Sequence, residues 1–298
     1  MKTGCLPAGF DQFSEKILKE VFAPTVVGVP PEDASRGLVR LPNGEIRHYG
    51  EYFSRGRWEK CYVESLDCGL NWRMRPAQEE SVGAAFLSPA SGHWLLLDSN
   101  GFAHHYLGRH LVHRMPKLGT YLFRSTAGID GPFTCEHISE REYQILRPPL
   151  HLLSRHRWLL PTQYRRKEDG HMVAVALLSD DDWATCREVD LPTAPRHQVK
   201  PPHKGLRWQN DACEPSVVEL PGGRLWCLLR TSQDFFYETY SEDGGNTWSE
   251  GRPSRFSNTI TMPTLLSLSD GRLLLLWCNT APLPEPDHRV FFGLKENV

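Results

Sequence analysis

Two side chains that could act together on a substrate flank a pair of glycines late in the chain. Glu214 and Arg230 stand sixteen residues apart in the string CEPSVVELPGGRLWCLLR, which turns at Gly222-Gly223. A two-residue hairpin turn at these glycines sets Glu214 beside the level of Arg230 and Thr231. A guanidinium binds a carboxylate through two parallel hydrogen bonds. The pair is therefore either a plain salt bridge at a strand end or part of a site for an acidic ligand.

Three more hairpins are expected to bring further residues, most of them polar, opposite each other on paired strands. We expect Arg36 opposite Glu51, Arg147 near Tyr164 and Arg165, and Met262 opposite Asn279. All of these positions lie at the open end of a hairpin, away from its turn. Where several hairpins surround one channel, acidic and basic side chains converge, and we expect a binding site there. An exposed salt bridge, which contributes little to stability, is the alternative interpretation of each pair.

Short apolar runs separated by Gly, Pro, Asn and Asp predict many antiparallel strands. Three dipeptides that favour positive φ mark hairpin turns, and two weaker turns lie near Gly92 and His156. The three dipeptides are Asn43-Gly44, Gly222-Gly223 and Asp270-Gly271. Helical periodicity is confined to residues 11–22, DQFSEKILKEVF. We therefore predict an all-β fold, with a short helix and a lead-in strand in residues 1–34 and one β domain over residues 35–298.

A second motif, S-x-D-x-G-x-T-W, recurs after the hairpins. It is complete in SEDGGNTW from Ser241, nearly complete in SLDCGLNW from Ser65, and degraded in SDDDWATC from Ser179. A doubtful copy, RSTAGIDGPF, surrounds Ser125. The serines recur with a period of about 59 residues. One hairpin and one box per period make a unit of four strands, which is typical of a β-propeller blade.

These boxes resemble the Asp-boxes of BNR-repeat proteins, and the order of hairpin and box resembles that of sialidases (neuraminidases). The resemblance covers about residues 35–290 and implies a β-propeller that is six-bladed in kind. It also implies that each box caps a turn between the third and fourth strands, so that Asp67, Asp181 and Asp243 are structural. Six blades of this period need about 354 residues. The chain thus has five blades, completes its last blade with the amino terminus, or is truncated.

The same resemblance implies roles for four charged residues. Glu214 matches the glutamate that polarises a tyrosine nucleophile, and Arg230 matches one of three arginines that bind the substrate carboxylate. Arg289 is the expected third arginine. Arg36 takes the place of the first arginine, although the R-I-P motif of the family is absent here.

The proton donor and two further substrate contacts follow less directly from the sequence. In the family the donor is an aspartate in a loop of the first blade, but no Asp stands between Gly44 and Leu66. Glu51 is the expected substitute, with Asp211 as its rival. Tyr164 and Arg165 are expected to bind substrate because of their place in a hairpin. The nucleophilic tyrosine is not assigned.

The composition excludes several classes of protein. The 298 residues contain 34 Lys and Arg against 36 Asp and Glu, which leaves no positive excess for nucleic acid or a membrane surface. No apolar run approaches the ~18 residues that span a bilayer. Eight cysteines without a C-x-x-C pair predict reduced, mostly buried thiols. The thirteen histidines, His104-His105 among them, lack zinc-binding spacing, and no metal or cofactor is expected.

The sequence thus predicts a sialidase-like exo-glycosidase that hydrolyses a terminal acidic sugar from a glycan with retention of configuration. Two alternatives are open: an exo-glycosidase for a different sugar, and a non-catalytic propeller that binds carbohydrate or another partner. The amino-terminal sequence MKTGCLPAGFDQFSEK has no signal-peptide pattern, so a cytoplasmic location is expected. The sugar linkage, the blade number and the oligomeric state are not predicted.

Overall fold

The structure, a computed structural model, describes residues 38–54, 57–77, 85–100, 114–198, 211–258, 261–268 and 270–278. For residues 50–54 and 57–60 it describes the backbone alone. These ranges consist of β-strands and turns, as the sequence predicts. None of their segments is a helix long and apolar enough to cross a membrane. The helix predicted over residues 11–22 and the domain boundary near residue 35 lie outside the described residues.

The strands form four antiparallel sheets of four strands each, followed by a two-stranded hairpin. Blade 1 contains β1 (Leu38–Arg40), β2 (Ile46–Ser54), β3 (Arg57–Ser65) and β4 (Arg73–Pro76). Blade 2 contains β5 (Phe86–Leu87), β6 (Trp94–Ser99), β7 (Thr120–Ser125) and β8 (Thr134–Ser139). Blade 3 contains β9 (Leu150–Leu152), β10 (Arg157–Arg165), β11 (Met172–Ser179) and β12 (Arg187–Asp190).

Blade 4 contains β13 (Cys213–Glu219), β14 (Leu225–Arg230), β15 (Phe235–Ser241) and β16 (Arg252–Ser257). The hairpin that follows, here called blade 5, contains β17 (Thr264–Ser267) and β18 (Leu273–Leu276). Every strand pairs with the next one along the chain within its sheet. This up-and-down order is the one expected of propeller blades.

The three glycine-containing hairpin turns are one residue longer than predicted. In blade 1, Arg40 pairs with Ile46, and the Gly44 amide donates to the Leu41 carbonyl at 2.9 Å. Gly44 adopts a φ of 88°, and a left-handed residue at this position closes a three-residue loop. The turns of blades 4 and 5 have the same hydrogen bonds. The strand pairs next to these turns are therefore shifted by one residue from the predicted register.

Apolar clusters fill the seams between successive blades, because strand residues alternate between the two faces of a sheet. In β10, Trp158 and Leu160 pack toward blade 2, whereas Leu159 packs toward blade 4. Similar clusters join blades 1 and 2 and blades 4 and 5. Each apolar cluster of the described residues draws on two neighbouring blades, so these blades depend on each other for the burial of their apolar side chains.

The Asp-boxes lie in the turns between third and fourth strands, as predicted. In blade 4 the Asp243 carboxylate accepts hydrogen bonds from the Ser241 hydroxyl at 2.8 Å and the Thr247 amide at 2.9 Å. The Ser241 oxygen accepts the Gly245 amide at 2.9 Å. The boxes of blades 1 and 3 repeat these bonds. The motif satisfies turn groups that the sheet leaves unpaired, which is a structural role.

Each of three consecutive aspartates in blade 3 has its own partners. Asp181 is the box residue. Asp180 accepts two hydrogen bonds from Arg157, at 2.6 and 2.8 Å. Asp182 accepts the Ser88 hydroxyl at 2.6 Å, among other donors, and so connects blade 3 to blade 2. The run therefore stabilises turns and a seam.

Two smaller predictions have a mixed outcome. The doubtful box at Ser125 lies in the expected turn of blade 2, where its hydroxyl oxygen accepts the Ala127 amide at 3.2 Å, but no aspartate completes the motif. The seven cysteines in the described ranges are all free thiols. Fewer of them are buried than expected, namely Cys61, Cys213 and Cys227, while Cys68 and Cys278 are exposed.

Candidate functional site

Different turns and strand ends lie at the two edges of each blade. The Asp-box turns lie at one edge together with the turns between first and second strands, and we call it the box edge. The first strands begin and the second strands end at the opposite edge, here called the site edge, because antiparallel strands alternate in direction. Glu214 lies near the start of β13 and Arg230 at the end of β14, so both belong to the site edge.

A common register places four polar residues at equivalent backbone positions of the site edge. In each complete blade the box serine, or Ser125 in blade 2, pairs with one residue of the second strand. The residues five positions further along the second strands are Glu51, Ser99, Gln163 and Arg230. The residue predicted as proton donor and the arginine predicted to bind substrate thus occupy the same position in blades 1 and 4.

Glu214 and Arg230 form an ion pair that is largely removed from water. Glu214 Oε2 lies 3.1 Å from Arg230 Nε, and the two side chains are 15% and 6% exposed. Burial raises the pKa of Glu214, while the positive charges of Arg230 and then Arg147 act in the opposite direction. The predicted proximity of Glu214 and Arg230 is confirmed, and the pair combines a carboxylate of raised proton affinity with a buried cation.

A β-bulge fixes the backbone of Glu214. Arg230 pairs with Cys213, but the next pair along β13 begins at Ser216, so Glu214 is an extra residue on its strand. It adopts a left-handed φ of 47°, which is uncommon for a residue with a side chain. Its amide donates to Gln163 Oε1 of blade 3 at 2.6 Å. A strained conformation held by a neighbouring blade is a feature of functional sites.

The position of Arg147 differs from the prediction. Tyr164 pairs with Tyr143, four residues earlier than the expected Arg147. The turn of the β9–β10 hairpin contains four residues, 153–156, instead of two. In addition, Pro148 and the proline after it have no amide hydrogen to donate, so the ladder is interrupted there.

Arg147 instead reaches from blade 3 to the two blades that follow. Its Nη1 donates to Ser216 Oγ at 2.6 Å, and its Nη2 donates to the Pro263 carbonyl at 3.1 Å. The sequence contains a signal for this residue that hairpin pairing does not use. A residue followed by proline lies within three residues of the start of the first strand in three successive blades, in Arg147-Pro148, Glu214-Pro215 and Met262-Pro263.

Asp211 is enclosed by guanidinium groups. Arg196 Nε donates to its Oδ1 at 3.0 Å, and Arg166 Nη2 donates to its Oδ2 at 3.1 Å. Its side chain is 15% exposed. A general acid must direct an oxygen to the leaving group of the substrate. Because both oxygens of Asp211 already accept hydrogen bonds, its geometry fits a structural role better than that of a proton donor.

Tyr164 and Arg165 lie on opposite faces of β10. Arg141 stacks on the Tyr164 ring at 3.9 Å from its centroid, and the ring packs in the seam between blades 2 and 3. Alternation along the strand places Arg165, which is exposed, on the face of Gln163 and blade 4. The structure therefore does not bring Tyr164 to the Glu214–Arg230 pair, whereas Arg165 lies two residues from the Gln163 that contacts Glu214.

Several predicted residues fall where the structure gives little or no description. Glu51 pairs with Lys60 in the β2–β3 ladder, and its side chain is not described. The others lie outside the described ranges and remain predictions; they are Arg36, Arg289, Asn279 and the pair His104-His105. Within those ranges, no group of three or more His, Cys, Asp or Glu side chains could hold a metal ion.

Asp98 is a buried acid near the site edge that the motif analysis does not single out. It precedes Ser99 in β6, is 7% exposed, and accepts the Ser99 amide at 2.7 Å. Burial raises the pKa of Asp98 to about 7. The signal in the sequence is a single acid in the otherwise apolar run WLLLD. Unpaired buried acids are costly, and they concentrate at functional sites.

Comparisons with known proteins agree with this architecture. Residues 143–290 match the family model described as BNR repeat-like domain. The structure resembles a protein of unknown function from Dyadobacter fermentans DSM 18053, with 18% identity, a TM-score of 0.52, and coverage of 80% of this chain and 73% of that chain. No curated protein sequence matches the chain.

Two enzymes also have similar structures. A variant of the NanB sialidase from Streptococcus pneumoniae is 13% identical with a TM-score of 0.51, over 90% of this chain and 61% of that chain. The leech intramolecular trans-sialidase in complex with 2,7-anhydro-Neu5Ac is 14% identical with a TM-score of 0.51, over 91% and 60%. At these identities the likeness is one of fold. With its Asp-boxes and four-stranded blades, the chain resembles BNR-repeat proteins: residues 143–290 match a BNR repeat-like domain, and the described part of the chain has a sialidase-like propeller fold.

Proposed function

We propose that this protein is a sialidase-like exo-glycosidase that removes a terminal acidic sugar from a glycan. The observation that carries the proposal is the buried pair of Glu214 and Arg230, held at the site edge by a bulge and by a contact from blade 3. Similar folds in a sialidase and an intramolecular trans-sialidase support the assignment at the level of architecture.

Arg230 is the proposed anchor for the acidic group of the sugar. Its guanidinium is buried beside a carboxylate, and a desolvated cation attracts an anion more strongly than an exposed one does. Arg165, exposed on the neighbouring face, is a proposed further contact for the glycan. The proposed clamp includes Arg36 and Arg289, which the sequence resemblance assigns to it.

Glu214 is the proposed base that polarises the nucleophile. In a retaining mechanism of this kind a tyrosine hydroxyl attacks the anomeric carbon and transfers its proton to a nearby carboxylate. Burial raises the proton affinity of Glu214, which strengthens it as a base while the carboxylate is ionised. The nucleophilic tyrosine is left unassigned. Of the two proposed donors, Glu51 is favoured over Asp211, whose oxygens are both engaged.

The remaining parts of the proposal rest on the sequence alone. The ring would be six-bladed in kind, the substrate a sialoside-type glycan, and the location cytoplasmic. Hydrolysis of a different sugar is the second enzymatic candidate, because the R-I-P motif is absent before the first hairpin. A non-catalytic glycan-binding propeller is the third, since a fold does not determine an activity.

The test is release of a fluorogenic aryl group from an α-sialoside by the protein and by two site variants. Glu214→Gln removes the base but preserves the shape of the side chain, and we expect turnover to fall by about 10²-fold or more. Arg230→Ala removes the anchor and leaves Glu214 buried without its cation, so a loss of similar size is expected. Thermal unfolding of each variant separates loss of activity from loss of fold.

Arg224→Ala is the matched control. Arg224 forms an exposed ion pair with Glu242 at 2.7 Å, at the box edge of the same blade. Its removal is expected to leave turnover unchanged, since exposed pairs contribute little. Unchanged turnover in both site variants would place the active site elsewhere. A folded protein without turnover would exclude a sialidase, and binding to an array of glycans would then separate the second candidate from the third.

A further inference from the structure

The same kind of dipeptide lies near the start of the first strand in blades 3, 4 and 5, and one side chain connects these three segments. Arg147, Glu214 and Met262 each precede a proline near the start of such a strand. Proline cannot donate to a sheet ladder, so each of these segments lacks a ladder hydrogen bond at its proline. Their position must come from other contacts.

Arg147 of blade 3 makes such contacts with blades 4 and 5. Its two terminal nitrogens donate to Ser216 Oγ in blade 4, at 2.6 Å, and to the Pro263 carbonyl at the start of blade 5, at 3.1 Å. The Ser216 oxygen also accepts the Leu265 amide at 2.9 Å. One guanidinium and one hydroxyl therefore connect three blades at the site edge.

Arg147 also places a positive charge near the Glu214 carboxyl group. Ser216 is two residues from Glu214, and the positive charge of Arg147 counteracts the effect of burial on the Glu214 carboxyl group. Among the residues that the structure describes, Arg230 from β14 also acts on Glu214, in the same direction. From β10 the neutral Gln163 contacts its amide, and the exposed Arg165 lies two residues further along the same face. The strand β17 contains no charged residue, and Asp211 before β13 is held by two arginines.

We propose that Arg147 is a positioning residue of the site, which fixes the start of β13 against blade 5 and holds a permanent positive charge beside Glu214. It is not a member of the substrate clamp, because its two terminal nitrogens already donate to Ser216 and Pro263. The inference rests on the proposed function only for its effect on turnover. Its effect on the Glu214 carboxyl group does not require an enzyme.

The test is a carbon-13 NMR titration of the Glu side-chain carboxyl groups in the full chain, with the Glu214 signal assigned by its loss in Glu214→Gln. Arg147→Gln removes the charge and retains an amide that can donate to Ser216, and we expect the Glu214 midpoint to rise by about one unit or more. Arg147→Lys retains the charge, and its midpoint should stay within a few tenths of that of the parent protein.

Arg157→Gln is the matched control. Arg157 also connects blades 3 and 4, through Asn246 Oδ1 at 2.9 Å and the Gly244 carbonyl at 3.2 Å, but it does so at the box edge. Its loss removes a seam contact without changing the charge near Glu214, so the midpoint should not move. An equal Glu214 midpoint in Arg147→Gln and the parent protein would overturn the proposal, and so would a rise of equal size in Arg157→Gln.

Turnover gives an independent measurement. If the protein hydrolyses the aryl sialoside, Arg147→Gln should shift the acid limb of its kcat/KM profile upward with the NMR midpoint, while Arg147→Lys should not. If the protein has no turnover, the proposed function fails and the titration still decides the role of Arg147.

Discussion

Trp183 in blade 3 occupies the box position that Gly245 occupies in blade 4. The Trp183 amide donates to Ser179 Oγ at 2.8 Å, and the Gly245 amide donates to Ser241 Oγ at 2.9 Å. Both residues adopt positive φ, 70° and 89°. Glycine adopts such angles freely, whereas tryptophan does so at a cost. In compensation, the Trp183 side chain is completely buried in the seam between blades 2 and 3.

Replacement of this tryptophan measures the balance between strain and burial. Trp183→Gly removes a large core side chain, which costs about 3–5 kcal/mol, and relieves backbone strain of about 1–3 kcal/mol. We expect a net loss of about 2 kcal/mol in the free energy of unfolding, measured by denaturant titration. Gly245→Ala, which introduces backbone strain and places a methyl group 2.9 Å from Leu159 Cδ1, should lose about 1–3 kcal/mol. Greater stability in Trp183→Gly would show that strain outweighs packing there.

The buried Asp98 predicts a pH-dependent stability. The ordinary pKa of its carboxyl group is 3.8, and burial raises it to about 7 in the folded protein. Between these values the folded state binds more protons than the unfolded state, so this group lowers stability as pH rises from about 4 to 7. Asp98→Asn cannot ionise, and its advantage over the parent protein should approach about 4 kcal/mol at pH 8.

The measurement is the free energy of unfolding of both proteins at pH 4 and pH 8. The difference between them should be small at pH 4, where the Asp98 carboxyl group is largely protonated when folded and partly so when unfolded. It should be at its full value at pH 8. A difference that is independent of pH would mean that Asp98 does not hold its proton in the folded state.

The repeat made most of the fold predictable. Hairpin and box together encode the order of four strands, and the hydrogen bonds of Asp243 or Asp181 need only residues within a few positions. Turn length was not predictable in the same way. A dipeptide such as Asn43-Gly44 suits both a two-residue turn and a three-residue loop that ends in a left-handed glycine. The structure has the longer loop, which shifts every cross-strand pair by one residue.

The candidate site was predictable only in part, because it is assembled between blades. Glu214 and Arg230 belong to one hairpin, so local pairing brought them together. From blade 3, Gln163 contacts Glu214 and Arg147 contacts the nearby Ser216, across more than fifty residues of sequence, and such contacts depend on how blades pack. The Arg147-Pro148 dipeptide is visible in the sequence. The contacts of Arg147 are not, because they depend on how the prolines interrupt the hydrogen bonds of the strand that follows.

The raised proton affinity of Glu214 predicts the pH dependence of turnover. A base must be ionised to accept a proton, so activity should decline as pH falls through the pKa of Glu214. Because burial raises the pKa of this group above its ordinary 4.5, the acid limb of kcat/KM should have its midpoint above pH 4.5. The limb should be absent from the residual activity of Glu214→Gln. An unchanged limb in that variant would assign the titration to another group.

Leaving-group dependence separates the two proposed proton donors. Loss of a general acid matters most when the leaving group is a sugar alkoxide, and little when it is an acidic phenol that departs without protonation. Glu51→Gln should therefore reduce turnover of a sialylated disaccharide by about 10²-fold or more while it largely retains turnover of an activated aryl sialoside.

Asp211→Asn should behave differently, because both oxygens of Asp211 hold arginines and neither is available for a leaving group. Its effect should be similar for the disaccharide and the aryl sialoside and should be accompanied by a lower melting temperature, since Arg166 and Arg196 lose the negative charge and one acceptor oxygen of their shared partner. If Asp211→Asn shows the selective loss instead, Asp211 is the donor. The arginines around it would then have to release one carboxylate oxygen when substrate binds.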